Sequence, residues 1–292
     1  MSDLEVQVGL AAQAGQPDRA AQSGRRRRFG VAETAAAVLA LFLLASAVVP
    51  QLLAPGDPLG IDPLSAFQPP SGAHGFGTDE SGRDIYTRVV HGTQYSLLIG
   101  AAATAIGLGL GIVLGTLAGM LGRVVDFTVN RVLEVLFAFP GLLLALLFIL
   151  IFGPGVATAT IAVGLSTAPG YARIIRAQLI SVRSAAFVEA ATVLGRTRWQ
   201  ILLRHILPNT LAPLFVLATL GIGQAIVWAA TLSYLGLGAE PPTAEWGAML
   251  SAGRTYITSA WWMSFFPGLF IVLTAVTATV LGRSIDRRMR HA

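Results

Sequence analysis

Six long apolar runs, parted by shorter polar stretches, order this chain of 292 residues. They are Val31–Leu53, Tyr95–Gly119, Val132–Phe152, Ala157–Ile175, Pro208–Leu232 and Trp261–Leu281. Each comes near the ~20 residues a helix needs to cross about 30 Å of hydrocarbon. The pattern predicts an all-α membrane protein with six transmembrane helices. Residues 1–30 lack sustained periodicity, which predicts a disordered tail. Residues 31–53 are then the first span, 54–94 a loop, 95–284 the core and 285–292 a short tail. Arg25–Arg28 before an apolar run also resembles a signal peptide, with Ala45-Ser46-Ala47 as a cleavage site. The run exceeds the ~7–15 residues of a signal-peptide core, so it is read as a span.

One segment interrupts the pattern. Phe187–Asn209, between the fourth and fifth runs, is charged yet periodic. Phe187, Ala190, Ala191 and Leu194 follow helical spacing, as do Trp199, Leu202, Leu203 and Ile206. Each set predicts one apolar helix face. Gly195 separates them, where a turn costs little because glycine has no Cβ. Pro208 suits the first turn of the next span. The segment reads as helix, turn, helix, then membrane. It is either a connector lying on the bilayer surface or a surface that touches something soluble.

Three more patterns lie inside the runs. Gly107, Gly111, Gly115 and Gly119 recur every four residues and open a groove along one helix face, suited to close helix packing or to lining a pore. Pro140-Gly141 and Pro169-Gly170 predict kinks, because proline removes a backbone donor and clashes with the preceding turn. Such breaks mark transport paths and occur in ordinary bundles too. Gln224 and Trp228, one turn apart, either pack or line a path.

Composition and charge then give an orientation. Charged residues make up 12% of the chain, against about 25% in a soluble domain. All twenty basic residues are arginine. With six spans and the N-terminus inside, only Arg83, Arg88 and Arg254 fall outside, and the other seventeen fall inside. The positive-inside bias selects this orientation, with both termini and the charged segment 183–207 in the cytoplasm. The net charge of +5 therefore needs no nucleic-acid partner. The chain has no cysteine, which excludes disulfides, thiol catalysis and a cysteine-ligated metal. Ionisable groups are nearly absent at mid-span depth, and Glu134 sits three residues after Arg131, within reach on one helix face. A proton-driven carrier would bury acids or histidines there. No P-loop, HExxH or GxSxG motif occurs, so no catalytic residue and no ATP hydrolysis is expected of this chain. Asp79, Glu80, Arg83, Asp84 and Arg88 cluster in the first loop, near His74 and His91. Local pairing of those charges is the reading adopted, with no metal.

Glu189-Ala190-Ala191, Gly195 and Leu207-Pro208 resemble the EAA loop of ABC importer permeases, with the spacing kept from Glu189 to Pro208. His205 occupies the usual Ile slot, but Arg204–Asn209 is similar to the RHILPN form of the oligopeptide, dipeptide and nickel branch. Gly77-Thr78-Asp79, Gly82-Arg83-Asp84, Arg88, Gly92 and Ser96-Leu97 resemble that branch's GTDxxGRDxxSR stretch, with Thr87 in the usual Ser slot. Leu232–Gly238, Pro241-Pro242 and Trp246-Gly247 resemble its LSFLGLG, PP and WG stretch. The C-terminal run Thr277–Arg290 departs from the family pattern. The resemblance covers about residues 30–270 and is strongest to the C-type subunit of the permease pair.

That resemblance implies a type I ABC importer permease fold in the bacterial inner membrane. It implies a second homologous permease, two ATPase subunits that hold ATP and Mg, an extracytoplasmic substrate-binding protein, and no cofactor in this chain. Glu189, Ala190, Ala191, Gly195, Arg198, His205 and Pro208 would belong to the ATPase-coupling segment. Asp79, Arg83, Asp84 and Arg88 would belong to the extracytoplasmic loop. Peptides are the expected cargo. Nickel or another small solute is the alternative within the family, and a self-sufficient channel or secondary carrier is the alternative outside it.

Overall fold

The computed structural model describes residues 30–289; the tail expected before Gly30, with Arg25–Arg28, and Arg290–Ala292 lie outside them. Among the described residues the regular structure is helical, apart from one bridge between Thr78 and Asp84. The main helices are α1 (Val31–Val48), α2 (Ile85–Met120), α3 (Arg123–Phe137), α4 (Gly141–Phe152) and α5 (Val156–Arg183). They continue with α6 (Ala186–Val193), α7 (Leu207–Tyr234), α8 (Trp246–Gly253) and α9 (Trp262–Met289).

Two of the differences from the expected spans have identifiable reasons. Helix α2 begins ten residues before Tyr95, because the Asp84 carboxylate accepts the Thr87 amide at 2.8 Å and caps it. Its 36 residues rise about 54 Å at 1.5 Å each, so residues 85–94, expected as loop, form helix that extends past the hydrocarbon. The expected third span, Val132–Phe152, is broken: α3 and α4 meet at 90°. Pro140 has no N–H and drives Phe139 out of the helical region, so the chain turns there and Pro140 becomes the N-cap of α4. Pro169, in contrast, lies inside an unbroken α5.

Among the described residues, helices α1, α2 and α9 and the Pro213–Tyr234 stretch of α7 are each long and apolar enough to cross a membrane, which makes four, or five if α3 and α4 count as one broken span. Helix α5 has the length but a more polar composition. Its Ala159, Ala162, Val163, Ala168, Ala172 and Ile175 are buried in the bundle instead, so lipid need not cover that surface.

The glycine groove of α2 faces α5. A Cβ on Gly111 would sit 2.5 Å from Tyr171 Cβ, and one on Gly115 2.7 Å from the Ala172 carbonyl oxygen. Gly107 meets Thr167, and a Cβ on Gly119 would lie 3.2 Å from Leu179 Cβ. Backbone rests against backbone along this seam. At one end of the bundle, Leu43, Ile85, Val89, Trp246, Met249, Trp262 and Phe270 form one apolar cluster. At the other end Arg287 of α9 donates to Glu33 of α1 at 2.8 Å, so the two described ends of the chain lie side by side.

Candidate functional site

The charged segment between α5 and α7 folds as α6, a turn at Gly195, a single turn Arg198–Ile201 and a π-helical turn Leu202–Ile206 that runs into α7. Gly195 has φ +73° and nothing within 4 Å of where a Cβ would stand, so the demand for glycine is conformational, not steric. The Asn209 amide donates to the His205 carbonyl at 2.6 Å, and Pro208 lies in the first turn of α7. The packed face is not the expected one. Val188 and Ala191, with Ile201 and Ile206, pack on Ile175 and Leu179 of α5 and Leu214 of α7. Phe187, Leu194, Trp199 and Leu203 are exposed. Apolar residues line both sides of α6, and periodicity alone does not say which side meets the bundle. Glu189, Ala190 and Arg196 are exposed too, and the side chain of Arg198 lies outside the described ones.

Above this segment the elbow between α3 and α4, together with α5 and α7, encloses a cleft of about 390 Å³. Gln224 and Trp228 both line it, as do Gly141 and Pro169-Gly170. Gln224 is exposed to the cleft and Trp228 is half-buried. The Trp228 ring edge rests on Gly141, where a Cβ would collide with it. Tyr171 fills a notch between Gly111 of α2 and Gly221 of α7. The Ser166 and Thr167 hydroxyls donate back into α5, to the carbonyls of Val163 and Gly164, each at 2.9 Å.

At the far end the two long loops form one cap. The Asp79 carboxylate, 5% exposed, accepts the amides of Ser81 and Arg83 at 2.8 and 2.9 Å. It lies 3.5 Å from the Arg83 guanidinium and 3.7 Å from that of Arg88. Arg88 donates to the Pro58 carbonyl at 3.0 Å and the Pro242 carbonyl at 3.1 Å. Burial pushes its guanidinium below the ordinary arginine value, and Asp79 opposes that shift. Asp84 caps α2 with one oxygen and contacts His74 Nδ1 at 3.0 Å with the other. His91 Nε2 lies 3.0 Å from the Ala54 carbonyl. The two histidines are thus engaged separately, and no group of three or more metal-ligand side chains occurs among the described residues. The Trp246 indole donates to the Val89 carbonyl and the Trp262 indole to the Thr78 carbonyl, both at 3.0 Å.

The family described as "Binding-protein-dependent transport system inner membrane component" matches residues 111–291. The chain belongs to this family. The permease is 42% identical, over 86% of its length and 84% of the relative's, to a probable D,D-dipeptide transport system permease protein of Escherichia coli K12. It is 40% identical, over 84% of its length and 82% of the relative's, to a dipeptide transport system permease protein of Alkalihalophilus pseudofirmus. Among solved structures, an inward-facing methionine ABC transporter chain superimposes with TM-score 0.58 at 20% identity, covering 70% of the permease and 97% of that chain. That likeness shows the fold.

Several residues of the permease that hold these zones together carry no local sequence signal. Glu245, 2% exposed, caps α8 by accepting the amides of Gly247 and Ala248 at 2.9 Å. Arg176 of α5 grips Asp126 of α3 through two hydrogen bonds of 2.5 and 2.7 Å, with Asn130 donating to the same carboxylate. Asp126→Asn should lower the thermal midpoint of the purified complex at pH 7, since it removes the charge that Arg176 pairs with. Asp84 allows a second check. Asp84→Ala should cost about 1 kcal/mol through the lost cap, whereas Asp84→Asn keeps an acceptor and should cost less.

Proposed function

We propose that the permease is one half of the membrane pathway of an ATP-driven importer of peptides in the bacterial inner membrane. The observation that carries this reading is the identity of about 40%, over most of the chain, to permeases named for dipeptides. Both termini and the α6–α7 segment are cytoplasmic in this reading, with six crossings and α5 as one of them. The arginine distribution supports that, and so does the Glu33–Arg287 pair, which puts the two described ends on one side, as an even number of crossings does. The partners are a second permease, two ATPase subunits that bind ATP and Mg, and a binding protein that delivers cargo to the loop cap.

The coupling segment works as a solid piece that moves with the ATPase. Exposed Glu189 offers a polar contact and Ala190 keeps the helix slim, while buried Ala191 holds α6 to the bundle. Phe187, Leu194, Trp199 and Leu203 offer apolar area for docking. Gly195 sets the angle between the two helical pieces. Glu189→Lys and Gly195→Val should lower substrate-stimulated ATPase activity in the reconstituted complex without lowering its yield. Wild-type stimulation in both would overturn the coupling assignment. Purification tests the whole: the chain should co-elute with a second permease and an ATPase, and labelled dipeptide uptake should need all of them. Uptake by the lone chain would mean a self-sufficient carrier, and uptake of nickel without peptide would reassign the cargo.

A further inference from the structure

We propose that the cleft beside Gln224 holds a subsite for the peptide backbone that reads amide groups and ignores charge. This rests on the reading that the cleft is part of the transport path. Leu217, Gly221, Gln224 and Trp228 recur at helical spacing and present one strip of α7 to the cleft. The strip is about 16 Å long at 1.5 Å per residue. The Gln224 carboxamide and the Tyr171 hydroxyl both lie along it, and neither meets a hydrogen-bond partner among the described residues. The Gln224 carboxamide is exposed to the cleft, so its hydrogen-bonding groups are available to water or to a polar ligand. A carboxamide and a phenol each donate and accept, which complements the N–H and C=O that every peptide unit carries. Phe137, Phe139 and Trp228 supply apolar walls. No lining residue is charged at neutral pH, and Arg173 lies over the Phe137 ring, 4.0 Å from its centroid. Such a wall grips the part common to all peptides and has no group with which to sort acidic from basic side chains.

The test uses the reconstituted complex of both permeases, ATPase and binding protein, with the binding protein saturated by Ala-Ala-Ala, Ala-Asp-Ala or Ala-Lys-Ala. The wild-type ratio of the three rates serves as the reference, because the second permease contributes the other half of the pathway. Gln224→Leu should slow all three alike, by up to about tenfold for the lost hydrogen bonds. Gln224→Glu should slow the Asp peptide relative to the Lys peptide. An unchanged ratio in Gln224→Glu, or unchanged rates in Gln224→Leu, would overturn the subsite. A Gln224→Leu variant that instead lowers recovery of the permease pair would assign the amide to the subunit interface and also overturn it. Because the chain has no cysteine, Gln224→Cys tests the underlying pathway reading separately. A charged, membrane-impermeant maleimide should label it in the inward-open complex. Absence of labelling in every nucleotide state would sink the pathway reading, whereas labelling with unchanged Gln224→Leu rates would sink the subsite alone.

Discussion

Gly111→Leu should abolish recovery of the folded complex, while Gly109→Leu, two residues away, should leave it intact. A Cβ on Gly111 would stand 2.5 Å from Tyr171 Cβ and 3.0 Å from the Ala172 amide nitrogen. Neither neighbour is the free end of a side chain, so α2 and α5 would have to move apart. Overpacking of this kind typically costs about 1–3 kcal/mol where side chains can yield. Here main chain must yield, and Gly107 and Gly115 sit in the same seam. The loss should exceed about 3 kcal/mol and consume a large part of an ordinary folding free energy. Gly109 has nothing within 4 Å of its Cβ position, so leucine there should change stability by no more than about 0.5 kcal/mol. Yield and thermal midpoint of the two purified variants check the contrast directly. Equal behaviour would mean that α2 and α5 do not meet along this face.

Arg88→Ala should open the cap at the loop end of the bundle. The guanidinium donates to two carbonyls, those of Pro58 and Pro242, and lies at ion-pair distance from the Asp79 carboxylate. The two carbonyls belong to different loops, and Arg88 and Pro242 are 154 positions apart in the chain. Removing the guanidinium takes away two charge-assisted hydrogen bonds that tie the loops together, worth roughly 1.5–3 kcal/mol each, and one of the two guanidinium partners of Asp79, which keeps Arg83 and two backbone amides. Arg88→Lys should recover only part of this, because an ammonium lacks the planar fork that serves separated acceptors. Asp79→Asn combined with Arg88→Met should cost less than the sum of the two single changes, since the Asp79–Arg88 attraction is lost in either single change and can be lost only once. Limited proteolysis of residues 54–84 and 235–260, alongside the thermal midpoint, reads the opening. Intact loops in Arg88→Ala would mean that the two tryptophan anchors suffice.

The two candidate regions differ in how far they were legible beforehand. In the segment between α5 and α7, the two helical pieces, the turn at Gly195 and the entry of α7 at Pro208 all follow from spacing, because each depends on residues within one or two turns. Its packed face did not follow. Val188 and Ala191 face the bundle while Phe187 and Leu194 face outward, and both choices satisfy a helical period. The cap was legible only as a list of charges. Asp79, Arg83, Asp84 and Arg88 stand close in sequence, but their partners Pro58, His74 and Pro242 are set by how two loops meet.

The sequence by itself determined that the chain is a helical membrane protein, where its apolar runs lie, that the chain turns at Gly195, and which family's motifs it carries. These are local properties: hydrophobic period and a missing Cβ. Only the tertiary structure decided that the third run breaks through 90° at Pro140, that α5 is shielded by its neighbours and so tolerates polar residues, and that Gln224 and Trp228 border a cleft rather than a seam. Those outcomes depend on which surfaces remain once every helix has buried its tightest face, and that choice is made between segments far apart in the chain.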